Sequence, residues 1–285
     1  MYDSKTKKSS NSWIYILKQT KRLTMKKKTD ILYLLPSLAG FLTFFIVPFV
    51  YSFYYTFTEN AFTKKFVWFG NFKALFENEY FKLAMKNTGK FTLLAVPLTM
   101  GISLVLALLL VRFAMRLPFV KSALFLPVIL PSATIVLLWN AYISTFTPFH
   151  SLLLIFLWKY GGLNVMLMLT ALSGMDKSMV EAARIDSANV VQQTVRITLP
   201  NIAPTLFFTF ILSVVNSLKI FRESYLLYGN YPDETVYMLQ NFLNNHFAKL
   251  NYQYISTAAI FFAVIVYTVV AVVFVAEKKW SESIW

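Results

Sequence analysis

The chain has 285 residues, of which 57% are hydrophobic and only 14% are charged, and its formal net charge is +14. Soluble domains carry about 25% charged residues, so this composition excludes an ordinary soluble core. The sequence contains no cysteine, which excludes disulfide bonds, thiolate catalysis and cysteine-ligated metal sites.

The positive charge is concentrated at the N-terminus. Nine of the 27 basic residues lie within positions 1–28, before the first apolar run. A basic segment beside a membrane span is attracted to anionic lipid and is retained in the cytoplasm. The charge therefore indicates contact with membrane lipid, and we expect no nucleic-acid partner.

Six apolar runs follow, and each is about as long as the roughly 20 residues that a helix needs to cross the hydrocarbon core. With the N-terminus inside, the inner segments hold 17 of the 27 basic residues, so the positive-inside bias places both termini in the cytoplasm. The sequence thus predicts an all-α, polytopic membrane protein with a basic segment 1–30, a six-span domain 31–276 and a cytoplasmic tail 277–285. The runs cover about 31–57, 91–111, 120–143, 151–174, 203–225 and 255–276.

The first outer loop contains a shorter apolar pattern, WFGNFKALFENEYFKLAMKNT at positions 68–88. Its apolar residues recur close to helical spacing, which predicts an amphipathic helix. Such a helix could lie on the outer membrane surface or bind another protein with the same face, and the sequence favours neither. The apolar residues are Phe72, Leu75, Phe76, Tyr80 and Leu83.

Motifs of catalysis and nucleotide binding are absent from the sequence. It contains no HExxH and no GxSxG, and its one Gly-Lys pair, Gly89–Lys90, is followed by Phe91, so there is no P-loop. We therefore expect that the chain is not an enzyme and has no catalytic residue, no metal site and no cofactor of its own.

A polar stretch at about 175–202 separates the fourth and fifth runs. Ser178 followed by Glu181 is a capping-box pattern, which predicts a short helix from position 179. Asp186 and Ser187 would end that helix and cap a second one from position 188. The second helix would stop near position 199, because Pro200 cannot continue it.

This helical hairpin would lie on the cytoplasmic face. Ala182 and Ala183 are small enough to permit the close approach of another protein, beside the charge of Glu181. The same pattern is equally typical of an amphipathic loop at the membrane interface, so the residue types alone leave both interpretations open.

The stretch resembles the EAA motif of the membrane subunits of binding-protein-dependent ABC importers. That motif reads Glu-Ala-Ala, then Asp-Gly-Ala, then Ile-x-Leu-Pro. Ser187 stands where the family has glycine, and glycine reaches a positive φ without strain whereas serine does not. The positions that match at the family's spacing are Glu181, Ala182, Ala183, Asp186, Ala188, Ile197, Leu199 and Pro200.

Four further segments extend the resemblance over nearly the whole chain and narrow it to sugar-importer permeases of the maltose type. LYLLPSLAGFLTFFIVPFVYSFYYTF resembles the first conserved span, and FGNFKALFENEYFKLAMKNT resembles the segment that leads to an Asn-Thr dipeptide, here Asn87–Thr88. FLPVILPSATIVLLW resembles a span that ends here at Trp139. NSLKIFRESYLLYGNYP resembles a span whose family ending is Leu-Thr-x-Gly-Gly-Pro, from which positions 228–232 depart.

The resemblance implies the six-helix fold of the type I importer permeases, with the polar loop as a coupling helix seated in a cleft of a separate ATPase. It implies a second homologous permease as heterodimer partner, two ATPase subunits that bind ATP and Mg, an extracytoplasmic solute-binding protein and a sugar or oligosaccharide substrate. The chain would then form half of a sugar path across the cell membrane of a prokaryote.

The path must be lined by polar groups within the spans, and the fifth run ends in several of them. Ionisable residues inside a membrane cost roughly 2.5–3.5 kcal/mol each and usually face a cavity or a partner. Lys219 and Glu223 could instead form a local i, i+4 pair, and Arg222 could extend to the outer surface. The candidates for the path are Asn216, Ser217, Lys219, Arg222, Glu223 and Tyr225, with Asn140 and Tyr142 from the third run.

The alternative function is that of an ion-gradient-driven secondary transporter or a channel. Such a protein should carry carboxylates or histidines within its spans for ion coupling. Glu223 is the only acidic residue well inside a run, which favours the importer. The excess of Lys219 and Arg222 over Glu223 would favour acidic or neutral sugars over cationic solutes.

Overall fold

The computed structural model describes residues 33–59, 65–111, 118–143 and 145–284. The chain divides into two compact units, Met1–Tyr55 and Thr56–Trp285. The predicted basic segment 1–30 lies outside the described residues. The described residues of the first unit form one helix, α1 (Tyr33–Thr56), which ends at the first residue of the second unit.

In its described part, the second unit is helical apart from an isolated bridge between Thr58 and Phe66. α8 is built from three consecutive pieces, Val190–Gln193, a π-helical turn Thr194–Thr198 and Leu199–Asn201. A short 3-10 turn, Glu234–Val236, precedes α11. The other helices are α2 (Gly70–Glu77), α3 (Glu79–Leu110), α4 (Pro118–Ile129), α5 (Ser132–Ile143), α6 (Pro148–Ser173), α7 (Lys177–Ile185), α9 (Ala203–Lys219), α10 (Phe221–Tyr228), α11 (Leu239–Ala248) and α12 (Tyr252–Ile284).

Among the described residues, five helical segments are long and apolar enough to cross a membrane: α1, α3, α6, α9 with α10, and α12. The predicted third span is not one straight helix, because α4 and α5 meet at a bend of 100°. Pro131 lies in this bend and has no N–H group to donate to the preceding turn. If the bent pair is one span, the number of spans is the six predicted from hydropathy.

The apolar pattern at 68–88 forms two helices and not the single one that was predicted. Asn78 separates them, and its side chain caps α3 by accepting a hydrogen bond from the Phe81 backbone N–H at 3.0 Å. Leu75 and Phe81 are buried in a cluster with Phe242 of α11, and the rings of Phe81 and Phe261 of α12 are in contact. Part of the predicted surface stripe therefore packs in the protein's own core.

α6 is the most buried of the described spans, and α3, α4 and α9 pack on it. Polar side chains tie these helices together. Ser103 Oγ on α3 donates a hydrogen bond to the backbone O of Gly161 at 3.0 Å, and Asn164 Nδ2 donates to Ser213 Oγ on α9 at 2.8 Å. Such bonds help to hold helices together in a membrane. The hydrophobic effect does not do so there, because lipid is as apolar as the helix surfaces that would be buried.

Gly162 allows α4 and α6 to approach backbone to backbone. A Cβ atom at Gly162 would lie 1.8 Å from the backbone O of Leu124 and 2.7 Å from its backbone C. The neighbouring Gly161 has room, because the nearest atom to a Cβ there is Ser103 Oγ at 3.9 Å. The first half of the bent span, α4, is therefore fixed against α6 by the absence of one side chain.

We expect Gly162→Ala to destabilise the protein by about 1–3 kcal/mol or more, because the α4 backbone has to move to admit the methyl group. The measurement is the melting temperature of the purified protein in detergent. Gly161→Ala is the matched control and should melt like the wild type, since its methyl group meets only an ordinary contact. Equal melting temperatures for the two variants would contradict the close contact.

Candidate functional site

α7 begins at Lys177, two residues before the predicted start. Its cap is Asp176, whose side chain accepts a hydrogen bond from the Ser178 backbone N–H at 2.9 Å. This bond holds the pKa of the Asp176 carboxyl below its usual value. The predicted capping box of Ser178 and Glu181 is therefore wrong, because a stronger cap lies two residues upstream and its negative charge is favoured at a helix N-terminus.

A Schellman motif ends α7. The Ser187 N–H donates a hydrogen bond to the backbone O of Arg184 at 3.1 Å, and the Ala188 N–H donates to that of Ala183 at 3.0 Å. Ser187 has a φ of 59°, the left-handed conformation that this motif requires and that glycine reaches most easily. The turn of the motif is thus retained with serine in the glycine position, and the serine is strained.

The second helix of the hairpin is capped by Asn189 and not, as predicted, by Asp186 and Ser187. Asn189 and Gln192 form a complete capping box, with hydrogen bonds of 2.8 and 2.9 Å between each side chain and the other residue's backbone N–H. Both helices of the hairpin therefore begin at side-chain caps, which fix the residue at which each helix starts.

The end of the polar stretch anchors the hairpin to the spans. The π-helical turn Thr194–Thr198 carries α8 through Pro200 to Asn201, two residues beyond the predicted end. Leu199 packs against a buried cluster that contains Ile202 and residues of α3 and α6. Because Ile202 alone separates α8 from α9, the hairpin is joined to the fifth span by a linker of one residue.

The hairpin exposes an apolar surface beside Glu181. Met179, Ala182 and Ile185 lie three residues apart on one side of α7, and Ile185 is 84% exposed. Ala183 faces the protein's own interior, so only one of the two predicted contact alanines is presented. We call this surface the hairpin face, and its exposed side chains are Met179, Glu181, Ala182, Ile185, Val190, Val191 and Val195.

A buried ion pair joins α6 to α10. Lys159 Nζ lies 2.6 Å from Glu223 Oε1, and Ser132 Oγ donates a hydrogen bond to the same oxygen at 2.7 Å. The side chains of Lys159 and Glu223 are 9% and 0% exposed. The salt bridge of Glu223 is therefore made across the protein with Lys159, and not with Lys219 in the local pair that the sequence left open as an alternative.

Sequence reasoning missed Lys159, because it treated positions 151–174 as a uniformly apolar run. The signal was present in the sequence. An isolated lysine in one span and an isolated glutamate, Glu223, in another are complementary, and charges within a membrane are almost always paired or turned to a cavity.

Asn216 and Ser217 face the interior of the single chain, and their assignment to the path stays a prediction. Asn216 is 8% exposed and Ser217 is 2% exposed. Ser217 Oγ lies 2.9 Å from Thr92 Oγ1 of α3, within hydrogen-bond distance. Together with Ser213, which binds Asn164, these residues form the side of α9 that is turned to α3 and α6.

A second side of α9 and α10 exposes Lys219, Arg222 and Tyr225. These residues are spaced three apart and so share one face, which we call the cationic face. On α5, Asn140 and Tyr142 are also exposed. The structure thus divides the predicted path residues into five on the surface of the single chain and three inside it: Asn216, Ser217 and Glu223.

A groove of about 320 Å³ lies between α3, α9 and α12. It is lined mainly by apolar side chains such as Leu93, Phe210 and Val266, which suit an acyl chain better than the hydroxyl groups of a sugar. Within the described part of the chain, no group of three or more His, Asp or Glu side chains could hold a metal ion.

Comparison with known proteins gives a family match over almost the full length. The family model described as "Binding-protein-dependent transport system inner membrane component" matches residues 28–281. The probable ABC transporter permease protein YesP of Bacillus subtilis is 25% identical, over 93% of this chain and 95% of the relative. The arabinooligosaccharides transport system permease protein AraP of the same organism is 28% identical, over 72% of this chain and 74% of its own. The lactose transport system permease protein LacF of Rhizobium radiobacter is 26% identical, over 72% of this chain and 79% of its own.

Solved structures include a similar fold. One chain of a bacterial ABC transporter involved in the import of the acidic polysaccharide alginate superposes with a TM-score of 0.74 at 23% identity. The likeness covers 90% of this chain and 99% of that chain. It confirms the predicted all-α fold of the type I importer permeases.

We expect Ser187→Gly to leave the melting temperature unchanged or raise it, by up to about 1 kcal/mol in stability. Glycine relieves the left-handed strain but loses more conformational entropy on folding. Ser187→Val should lower the melting temperature, because a β-branched residue is a steric outlier at positive φ. If valine and glycine gave the same melting temperature, the left-handed turn would be contradicted.

Proposed function

The chain belongs to the family of binding-protein-dependent transport system inner membrane components, and from this premise we propose that it forms half of the solute path of an ATP-driven importer for sugars or oligosaccharides. The names of its relatives, which include permeases for arabinooligosaccharides and lactose, support this substrate class. The protein is a transport component of the cell membrane of a prokaryote and not an enzyme. ATP and Mg are bound by a separate ATPase.

The hairpin face carries this proposal. Two capped helices hold an apolar stripe and the carboxylate of Glu181 on the surface, in a segment that matches the EAA motif at fixed spacing. A cleft in an ATPase would bury the apolar stripe, and a cation beside the cleft would pair with Glu181. A rigid hairpin passes the motion of such a partner to the spans instead of bending.

The position of the cationic face supports the proposal that this chain forms one half of the solute path. Lys219 is 16 residues from the start of α9, about 24 Å along a span of about 39 Å, so it lies near the middle of the membrane. A charge turned to lipid at that depth costs roughly 2.5–3.5 kcal/mol. We therefore place the cationic face against the path, which a second homologous permease completes as a heterodimer.

The remaining partners follow from this arrangement. Two ATPase subunits bind the two hairpins from the cytoplasm, and an extracytoplasmic solute-binding protein delivers the sugar at the outer side. Both termini are cytoplasmic by the distribution of basic residues. The ion-gradient alternative would need a carboxylate available to a coupling ion, but the carboxylate of Glu223 is buried and its negative charge is already paired with Lys159.

Glu181→Lys tests the docking role. We expect solute-stimulated ATP hydrolysis by the reconstituted complex to fall about tenfold or more, because a reversed charge at an interface costs several kcal/mol. The hairpin itself should remain folded, since Glu181 makes none of its cap bonds.

The matched control for Glu181→Lys is Glu79→Lys, the same charge reversal at an exposed residue that begins α3. It should leave ATP hydrolysis unchanged, because α3 begins in the first outer loop, far along the chain from the hairpin. Wild-type hydrolysis in Glu181→Lys, with the ATPase still bound, would contradict the docking role.

Lys219→Gln and Arg222→Gln test the path. We expect each to reduce sugar uptake per assembled complex while the melting temperature stays unchanged, since both side chains are exposed. Lys82→Gln, an exposed lysine of the first outer loop, is the control and should transport normally. Asn216→Ala should instead lower the melting temperature, because its side chain is buried. Normal uptake in both cation variants would remove the cationic face from the path.

A further inference from the structure

Two spans are interrupted at the same place in the protein. α5 begins at Ser132 after the bend, and α10 begins at Phe221, separated from α9 by Ile220 alone. The carboxylate of Glu223 accepts the hydrogen bond of Ser132 and also lies in the first turn of α10. The N-terminal ends of α5 and α10 therefore meet at one carboxylate, whose negative charge both helix dipoles favour.

α5 and α10 form a pair that is separate from the helices before them. α10 packs mainly on α5, and α5 packs more on α10 than on α6. In contrast, α4 packs extensively on α6, where the contact between Gly162 and Leu124 leaves no free space. The first half of the bent span is thus fixed to α6, and the second half is held to α10.

The buried polar groups of α10 are less well satisfied than those of α9. Ser213 and Ser217 of α9 both have hydrogen-bond partners. Among the described residues, Glu223 Oε2 and Ser224 Oγ are buried without any. Each buried polar atom left unpaired costs about 1–3 kcal/mol. The position of α10 is therefore less strongly stabilised by hydrogen bonds than that of α9.

We propose that α5 and α10 move together as a gate of the path, with the Lys159–Glu223 ion pair as their pivot. This inference rests on the proposed importer function. Because the ion pair lies at the N-terminal ends of both helices, a swing about it preserves the pair and moves the far ends most. A swing of about 20° would move the end of the eight-residue α10 by about 4 Å. Asn140, Tyr142 and Tyr225 would move with the pair and change the width of the path.

Distances between spin labels test the gate directly. The chain has no cysteine, so introduced cysteines are labelled without background from this subunit. Ser173 at the inner end of α6 is the common reference, paired in turn with Leu138 of α5, Leu226 of α10 and His150 of α6. The labelled chain is assembled with cysteine-free partner subunits in nanodiscs. The three distances are measured by double electron–electron resonance without nucleotide and with ATP trapped by vanadate.

We expect the distances from Ser173 to Leu138 and to Leu226 to change together by about 2–3 Å, because a swing of about 20° moves residues that lie about 9 and 7.5 Å from the starts of their helices by that amount. The distance from Ser173 to His150 within α6 should stay constant. Unchanged distances to α5 and α10, or a change in only one of them, would overturn the gate.

A double variant distinguishes a pivot from a structural strut. Lys159→Met and Glu223→Gln alone each leave one buried charge unpaired and should lower the melting temperature. The double variant removes both charges and should recover much of it. If the ion pair is a pivot, uptake by the double variant should remain reduced by about tenfold. The variant is stable but has lost the link through which α5 and α10 move together. Wild-type uptake in the double variant would overturn the pivot.

The same preparations separate failure of the gate from failure of the importer function. Solute-stimulated ATP hydrolysis is measured on the unlabelled wild-type complex before labelling. If the wild-type complex hydrolyses no ATP with any sugar and its binding protein, the proposed function is contradicted. If the complex is active but the two distances stay fixed, only the gate is contradicted.

Discussion

The ion pair between Lys159 and Glu223 is the constraint on which the arrangement of the polar residues depends. Neither charge can be buried in a span without the other, so α6 and α10 must meet where Lys159 lies. Once Glu223 points inward, Ser213 and Ser217, earlier on the same side of the fifth span, point toward α6 and α3. Lys219 and Arg222 remain exposed on the single chain. One pairing therefore decides which side of the fifth span is internal.

The number and order of the spans could be predicted from the sequence, because each crossing helix requires a long apolar run. The bend between α4 and α5 could not. Proline alone does not decide it, since Pro97 lies inside the unbroken α3 and Pro127 inside α4. Pro131 differs because it is followed by the start of α5, where Ser132 donates a hydrogen bond to the carboxylate of Glu223. That partner is distant in the sequence and is brought there by folding.

The candidate site was predictable to different degrees in its two parts. The hairpin was identified from residue types at fixed spacing, but its caps were misplaced because Asp176, Ser178, Asp186 and Asn189 are all good N-cap residues and local packing selects among them. The path residues were harder to assign. A polar side chain in a span has the same appearance in the sequence whether it lines a cavity or binds a neighbouring helix. Ser217 binds Thr92, which is 125 positions away, and the residues around Ser217 do not indicate that contact.

The short links at both ends of the hairpin have a mechanical consequence. Three residues separate α6 from α7, and Ile202 alone separates α8 from α9. The same two spans are joined a second time, deep in the membrane, by Lys159 and Glu223. The hairpin, α6 and the fifth span therefore form a closed frame of helices. Along the fifth span, this frame is interrupted only at Ile220. In such a frame, a force on the hairpin cannot be absorbed locally, and it is transmitted as a rotation about the opposite corner, where the ion pair lies.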